Sequence, residues 1–336
     1  MTDMSTTSTT PKTEWPITLD DVRAARERLS PYLQPTPLRE YPQLGELAGS
    51  GMRVFAKHEN HQPTNSFKIR NGLSFMTSLN DDERRRGVVA ASTGNHGQGI
   101  AYGGKLLGVK TTICVPAGNN PEKNAAMRAL GGTVVEEGRD YDEAVTVMQR
   151  LAASEGRVVA HSTNDPRIIA GAGTMTLEIL EQDSTLDAIV IAVGGGSQAV
   201  GALTVARELA PRLDVYGVQA AGAPAIHDSW HAGKRLTTSR VDTFAEGVAT
   251  RATYDLTFPA LRAGLAGFVT VTDAEIAESL RTILSVTHNL VEGAGAMGFA
   301  GLAKLRDRLA GKKVAVIFCG GNIDSGMLQR ILAKQV

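Results

Sequence analysis

Between residues 88 and 218 the chain alternates two kinds of segment at short spacing, and this alternation constrains the fold more than any other feature. Short apolar runs rich in β-branched residues fall at 88–91, 111–115, 133–135 and 158–160. Between them lie segments of helical spacing at 97–107, 121–130 and 142–155. In the last of these, Ala144, Val145, Met148, Leu151 and Ala152 form one apolar stripe. Pro121 suits a first helical turn, and Gly108 and Gly131 suit helix ends. The pattern resumes with a strand at 188–193, a helix at 198–209 and a strand at 215–218, then closes with a helix at 273–285, a strand at 314–318 and a helix at 326–332. Such alternation builds parallel sheets covered by helices. A chain of 336 residues has room for two such units. The expected fold is therefore α/β, with two parallel-rich twisted sheets flanked by helices. A small domain at 86–165 is inserted in a large one made of 17–85 and 166–336.

Composition excludes several functions. Lys+Arg and Asp+Glu both number 35, so the formal charge is zero, and no basic run stands out. Nucleic acid and an anionic membrane are excluded as expected partners. The mixed-sign cluster at 81–86 reads as a solvated helix start. No apolar run reaches the roughly 18 residues a membrane span needs. Two cysteines, Cys114 and Cys319, make neither a disulfide framework nor a metal-ligand spacing, which fits a reducing cytoplasm. Residues 1–16 are Ser/Thr-rich and lack the apolar core of a signal peptide, so a disordered tail is expected there.

Ligands bind such sheets at the carboxyl ends of the strands, so loops directly after strands carry the chemistry. The first runs from Ser92 and Thr93 through Gly94, Asn95 and His96 to Gly97 and Gln98 and opens a helix. Free amides at a helix start, with two hydroxyls beside them, suit a carboxylate. The second is Gly194, Gly195, Gly196 and Ser197; three glycines let backbone N–H groups converge on a phosphate. The third is Cys319, Gly320, Gly321 and Asn322. A fourth segment, PTNSFKIRNG at 63–72, sets Lys68 beside Phe67, behind Thr64 and Ser66 and ahead of Arg70. A lysine serves as a nucleophile or base when burial keeps part of it neutral, and an aromatic neighbour can wall a planar ring. Singly, each has a plain structural reading: a solvated lysine, a capped turn, a flexible turn, a small buried cysteine. Gly293, Gly295 and Gly298 also match the dinucleotide pattern G-x-G-x-x-G. No convincing strand precedes them, and no acidic residue follows at the ribose-binding distance of about 20 positions.

Together the motifs SFKIRNG, STGNHGQG, GGGS and CGGN, in that order, carry a resemblance. The chain resembles the fold-type II pyridoxal-phosphate enzymes, in the threonine/serine dehydratase and serine racemase branch, over about residues 18–332. The resemblance implies a tryptophan-synthase-β-like architecture and pyridoxal 5'-phosphate as cofactor. It implies that Lys68 bonds the cofactor aldehyde and acts as base, that Phe67 packs near the ring, and that Asn95 meets the ring hydroxyl. Ser92, Thr93, Asn95 and His96 would hold the substrate carboxylate, and Gly194, Gly195, Gly196 and Ser197 the phosphate. Cys319 would face the pyridine nitrogen; a neutral group there leaves the ring largely unprotonated, which suits β-elimination. The implied reaction is a dehydratase (ammonia-lyase) reaction converting a β-hydroxy-α-amino acid to a 2-oxo acid and ammonia. Serine, threonine, hydroxyaspartate and phenylserine are all candidates. An amino-acid racemase or another β-elimination or replacement enzyme on the same scaffold is the alternative; an NAD-dependent oxidoreductase or a non-catalytic binding protein is remote. A homodimer is implied.

The chain also departs from its relatives. Asn65 and Asn71 stand where glycine is usual and are the first places to look for substrate preference. Ser197 replaces a fourth glycine, and Ala172 a glutamine. Thr93 stands where the racemase branch has its second acid/base serine; it keeps the hydroxyl and is a candidate catalytic residue beside Lys68, while its bulk, which should hinder proton delivery, favours a dehydratase. Gln219 and Ala225 fall where that branch has acidic metal ligands, so no metal site is expected. The arginine that some relatives use for a second carboxylate falls near Asp142, leaving Arg70, Arg139, Arg167 and Arg251 as substitutes. The sequence ends at Val336, so the C-terminal regulatory domain of biosynthetic threonine dehydratases is not expected.

Overall fold

The computed structural model describes residues 15–336. Ten strands are present among them: β1 (Leu38–Glu40), β2 (Arg53–Lys57), β3 (Val88–Ala91), β4 (Thr111–Val115), β5 (Thr133–Glu136), β6 (Val158–Val159), β7 (Ala188–Ala192), β8 (Asp214–Ala220), β9 (Gly267–Val271) and β10 (Lys313–Ile317). They form two sheets. One has the order β5-β4-β3-β6 and is parallel throughout. The other has the order β1-β2-β10-β7-β8-β9, parallel except for β1. The α/β class with two parallel-rich sheets is thus observed. Strand β7 reads AIVIA and is buried at every position. A run apolar on both faces marks a central strand covered by helices on each side.

Residues 1–14 of the expected tail lie outside the described residues. Trp15 does not continue a loose tail: it packs on the main core with the Arg207 guanidinium 4.3 Å over its ring. Strands β1, β2 and β9 were not anticipated. The first two carry charged residues, and the fully buried Lys57 of β2 explains why that strand does not read as apolar.

That lysine belongs to a buried charge cluster. Arg70 donates to both oxygens of Glu59 (2.7 and 2.9 Å) and to both oxygens of Glu178 (2.7 Å each). Lys57 Nζ donates to Glu178 Oε2 at 2.9 Å. Lys57 and Arg70 meet Glu59 and Glu178, and at the edge Arg26, 3.5 Å from Glu178, pairs with Glu181 at 3.3 Å, so the cluster as a whole is neutral, the condition under which buried charges persist. Burial alone would raise the pKa of Glu59, but Arg70 overrides it and holds the carboxyl below its usual range. The cluster pins three elements together: β2, the helix Lys68–Thr77 and the helix Pro166–Gln182. Its arginine is therefore not available to a substrate carboxylate, which corrects the expectation for Arg70. Arg167 is likewise paired with Asp165 (2.8 Å) and stacked 4.1 Å over Phe75.

The helix Lys68–Thr77 also lies tight against the helix Asn95–Leu107. A Cβ on Gly72 would come within 2.6 Å of the Gly99 carbonyl, so only glycine allows this approach. Two of the expected chemical segments are thereby held at one fixed distance.

Candidate active site

A cavity of about 720 Å³ opens at the carboxyl ends of the strands of both sheets. Its lining includes Phe67, Lys68, Ser92, Thr93, Asn95, His96, Gly194, Gly195, Gly196, Ser197 and Cys319, so every site residue expected from sequence faces one space.

Lys68 opens its helix, and its Nζ donates to the Ser162 carbonyl at 3.1 Å. Burial pushes its pKa down to about 8, although Cys319 and Glu292 pull the other way. Cys319 is itself buried, and burial with the nearby Glu292 keeps the thiol protonated. The Lys68 segment and the cysteine loop are joined directly. Phe67 N–H donates to the Cys319 carbonyl at 3.0 Å, and Ser66 pairs with Gly320 in an antiparallel bridge.

The loop after β3 is organised by Ser92, whose Oγ accepts from Gly94 N–H (3.2 Å) and Gly97 N–H (2.9 Å). The N–H groups of Asn95 and His96, in the first helical turn, have no partner among the described residues. Unpaired amides at a helix N-terminus form an anion site. The His96 ring contributes differently. Its Nε2 lies 2.9 Å from the Ala160 carbonyl, which can only accept, so Nε2 carries the proton. Burial and then Lys68 push its pKa down to about 3, leaving the ring neutral and Nδ1 bare. His96 therefore offers an anion its backbone N–H and no ring proton.

The glycine loop follows β7. A Cβ on Gly194 would lie 2.8 Å from the Gly247 carbonyl, and Gly196 has a φ of +98°, in the region that favours glycine. Neither tolerates a side chain, which keeps backbone N–H groups open to the cavity. Ser197 is buried and opens the helix Ser197–Leu209.

Several cavity positions were not read from sequence: Glu292, Lys123, Glu246, Tyr141 and Tyr254. Glu292 lines the cavity and accepts from Asn95 Nδ2 at 2.8 Å. Burial raises its pKa, opposed by Lys123 and Asn95. Asn322 Nδ2 donates to the other side of that amide, Asn95 Oδ1, at 2.7 Å. The available signal for Glu292 was an acid at the N-cap of a small-residue helix, Gly293–Lys304. The glycines of that helix are packing positions, since a Cβ on Gly295 would sit 2.7 Å from the Gly320 carbonyl. The G-x-G-x-x-G match therefore lies inside a helix and not in a strand-to-helix turn, which removes the dinucleotide reading. At the mouth, Arg251 pairs with Asp142 at 2.6 Å, and Lys123 pairs with Glu246, both across the cleft. Tyr141 and Tyr254 add aromatic walls; Tyr254 stands edge-on to His161 at 5.4 Å.

Asn65 and Asn71 do not line the cavity. Asn65 is exposed with a φ of 53°, a left-handed turn that asparagine tolerates in place of glycine. Asn71 is buried behind the glycine loop. Substrate preference therefore does not come from direct contact with either. Gln219 accepts from His227 N–H at 2.9 Å and supports Thr250, a cavity residue, at 3.4 Å.

The chain is similar in sequence and in fold to several known proteins. An L-threonine ammonia-lyase of Thermotoga maritima is 37 % identical over 318 residues, covering 95 % of this chain and 79 % of that protein. The processed form of threonine deaminase isoform 2 from Solanum lycopersicum superposes with a TM-score of 0.89 at 32 % identity, over 94 % of this chain and 86 % of that one. Maize serine racemase superposes with a TM-score of 0.90 at 28 % identity, over 96 % and 98 %. The family described as pyridoxal-phosphate dependent enzyme matches residues 29–320, and the chain belongs to that family.

Proposed function

We propose that this chain is a pyridoxal-phosphate dependent dehydratase, an ammonia-lyase. It converts a β-hydroxy-α-amino acid of the serine or threonine type to a 2-oxo acid and ammonia. The observation that carries this reading is Lys68, an amine held toward its free base on the wall of a cavity that also presents the glycine loop and a protonated thiol.

The residues fit the cofactor. The glycine loop leaves no room for side chains where a phosphate would be cradled. Gly194, Gly195, Gly196 and Ser197 would hold that phosphate, Lys68 its aldehyde carbon and Phe67 one side of its ring. Asn95 would meet the ring hydroxyl and Cys319 the ring nitrogen. When bound, pyridoxal phosphate supplies the electron sink that makes a Cα proton removable.

The chain's own residues do the rest. The open N–H groups of Asn95 and His96, with Ser92 and Thr93 beside them, receive the substrate carboxylate. Lys68 Nζ, once freed by the incoming amino group, takes the Cα proton. The β-hydroxyl takes up one proton and leaves as water, and the Cα proton given up by Lys68 closes the balance. The released enamine tautomerises and hydrolyses to the 2-oxo acid and ammonia. Both arginines that line the cavity are already paired, Arg251 with Asp142 and Arg139 with Glu143, which supports a neutral β-substituent over a second carboxylate.

We read residues 86–165 as a small domain inserted between 17–85 and 166–336, latched over the cleft by the Lys123–Glu246 and Arg251–Asp142 pairs. The two free, buried cysteines suit a reducing cytoplasm, and the family resemblance implies a homodimer, which analytical sedimentation checks.

The test is 2-oxo acid release from serine, threonine, 3-hydroxyaspartate and phenylserine in both configurations. Wild-type protein should release it from at least one, and Lys68→Ala should lower the rate roughly a thousandfold or more. Inversion of serine without 2-oxo acid would establish the racemase instead.

A further inference from the structure

Asn71 stands three residues after Lys68 on the same helix, so both share one face. Lys68 reaches the cavity, and Asn71 reaches the back of the glycine loop, where its Nδ2 lies 3.4 Å from Ser197 Oγ. Asn71 is fully buried, and its Oδ1 has no hydrogen-bond partner among the described residues. A buried amide left half-satisfied costs free energy, so its one contact calls for an explanation. Ser197 is also buried, yet it lines the cavity, and its hydroxyl donates to no group among the described residues.

We propose that Asn71 is a positioning residue for the phosphate end of the cofactor. By donating to one lone pair of Ser197 Oγ, it turns the hydroxyl proton away from itself and toward the cavity. There the proton meets the anion held by the glycine loop. A hydroxyl without this support rotates freely and donates less effectively. The helix thereby links the two ends of the cofactor. Its first residue serves the aldehyde end and its fourth residue the phosphate end. The pairing also accounts for two departures at once, since Asn71 and Ser197 each replace a glycine and they face each other. The inference rests on the assignment of the glycine loop to the phosphate.

The test is a double-mutant cycle in apoprotein, read as the dissociation constant from absorbance titration with pyridoxal phosphate and, separately, with pyridoxal. Asn71→Ala and Ser197→Ala should each weaken pyridoxal phosphate about tenfold, as expected for one charge-assisted hydrogen bond. The double variant should bind about tenfold more weakly than wild type in total, not a hundredfold, because the two residues act as one unit. Pyridoxal, which lacks the phosphate, should bind all variants within about twofold, and this also shows that they are folded. If Asn71→Ala does not fold, Asn71→Ser, whose hydroxyl is too short to reach Ser197, should show the same selective loss. Additive losses, or equal losses for both ligands, would overturn the proposal. Wild-type apoprotein that takes up no pyridoxal phosphate would contradict the functional reading itself, and the proposal with it.

Discussion

Phe67 N–H donates to the carbonyl of Cys319 at 3.0 Å, joining the lysine segment to the loop after β10. With the Ser66–Gly320 bridge, this bond sets the Lys68 amine and the neutral thiol relative to one another across segments about 250 positions apart in sequence. If the inserted sheet moves to admit substrate, both groups stay with the larger sheet and keep their relation.

The neutrality of Cys319 is the first prediction. Burial keeps the thiol protonated, so Cys319→Ser, another neutral group, should keep turnover within about threefold. Cys319→Asp would put a carboxyl near Glu292 and favour a proton on the ring nitrogen. Its β-elimination rate should fall about tenfold or more, and side transamination should become detectable. Steady-state rates of 2-oxo acid release check both.

The glycine loop admits no side chain. In Gly194→Ala the new Cβ would lie 2.8 Å from the Gly247 carbonyl and 3.2 Å from Val248 Cα. These are backbone atoms that cannot swing aside. The variant should bind pyridoxal phosphate at least about tenfold more weakly while keeping its helical circular dichroism.

The rate of cofactor uptake should depend on pH. The free amine of Lys68 is the reactive form, and its fraction rises with pH. With the pKa at about 8, roughly 3 % is free at pH 6.5 and about half at pH 8. Uptake of pyridoxal phosphate by apoprotein should climb over this range and level off above it. A rise that continues unabated to pH 10 would mean that burial does not depress this lysine.

The buried cluster should govern stability. Arg70→Ala removes the cation that bridges Glu59 and Glu178, leaving Lys57 and, at the edge of Glu178, Arg26. Breaking a buried pair from one side costs about 3–5 kcal/mol. Urea unfolding should show a loss of that size, and Arg70→Lys, which cannot chelate two carboxylates, should lose part of it.

What the sequence made legible was local. The apolar runs at β3, β4 and β7 and the stripe from Ala144 to Ala152 depend only on near neighbours, and their positions were readable within a residue or two. The post-strand loops were readable for the same reason. The hidden parts depend on distant partners. Lys57 sits in a strand because Glu178, 121 positions away, neutralises it. Glu292 was obscured by glycines that mimic a dinucleotide motif but serve helix packing. Asn71 drew notice only as a departure, and its partner Ser197 lies 126 positions further on.

The central claim is that Lys68 holds the cofactor. The most direct measurement is borohydride reduction of protein loaded with pyridoxal phosphate, followed by peptide mass mapping. The account predicts one phosphopyridoxyl group, on the peptide containing Lys68. A modification confined to another cavity lysine such as Lys123, or none on loaded protein, would contradict it.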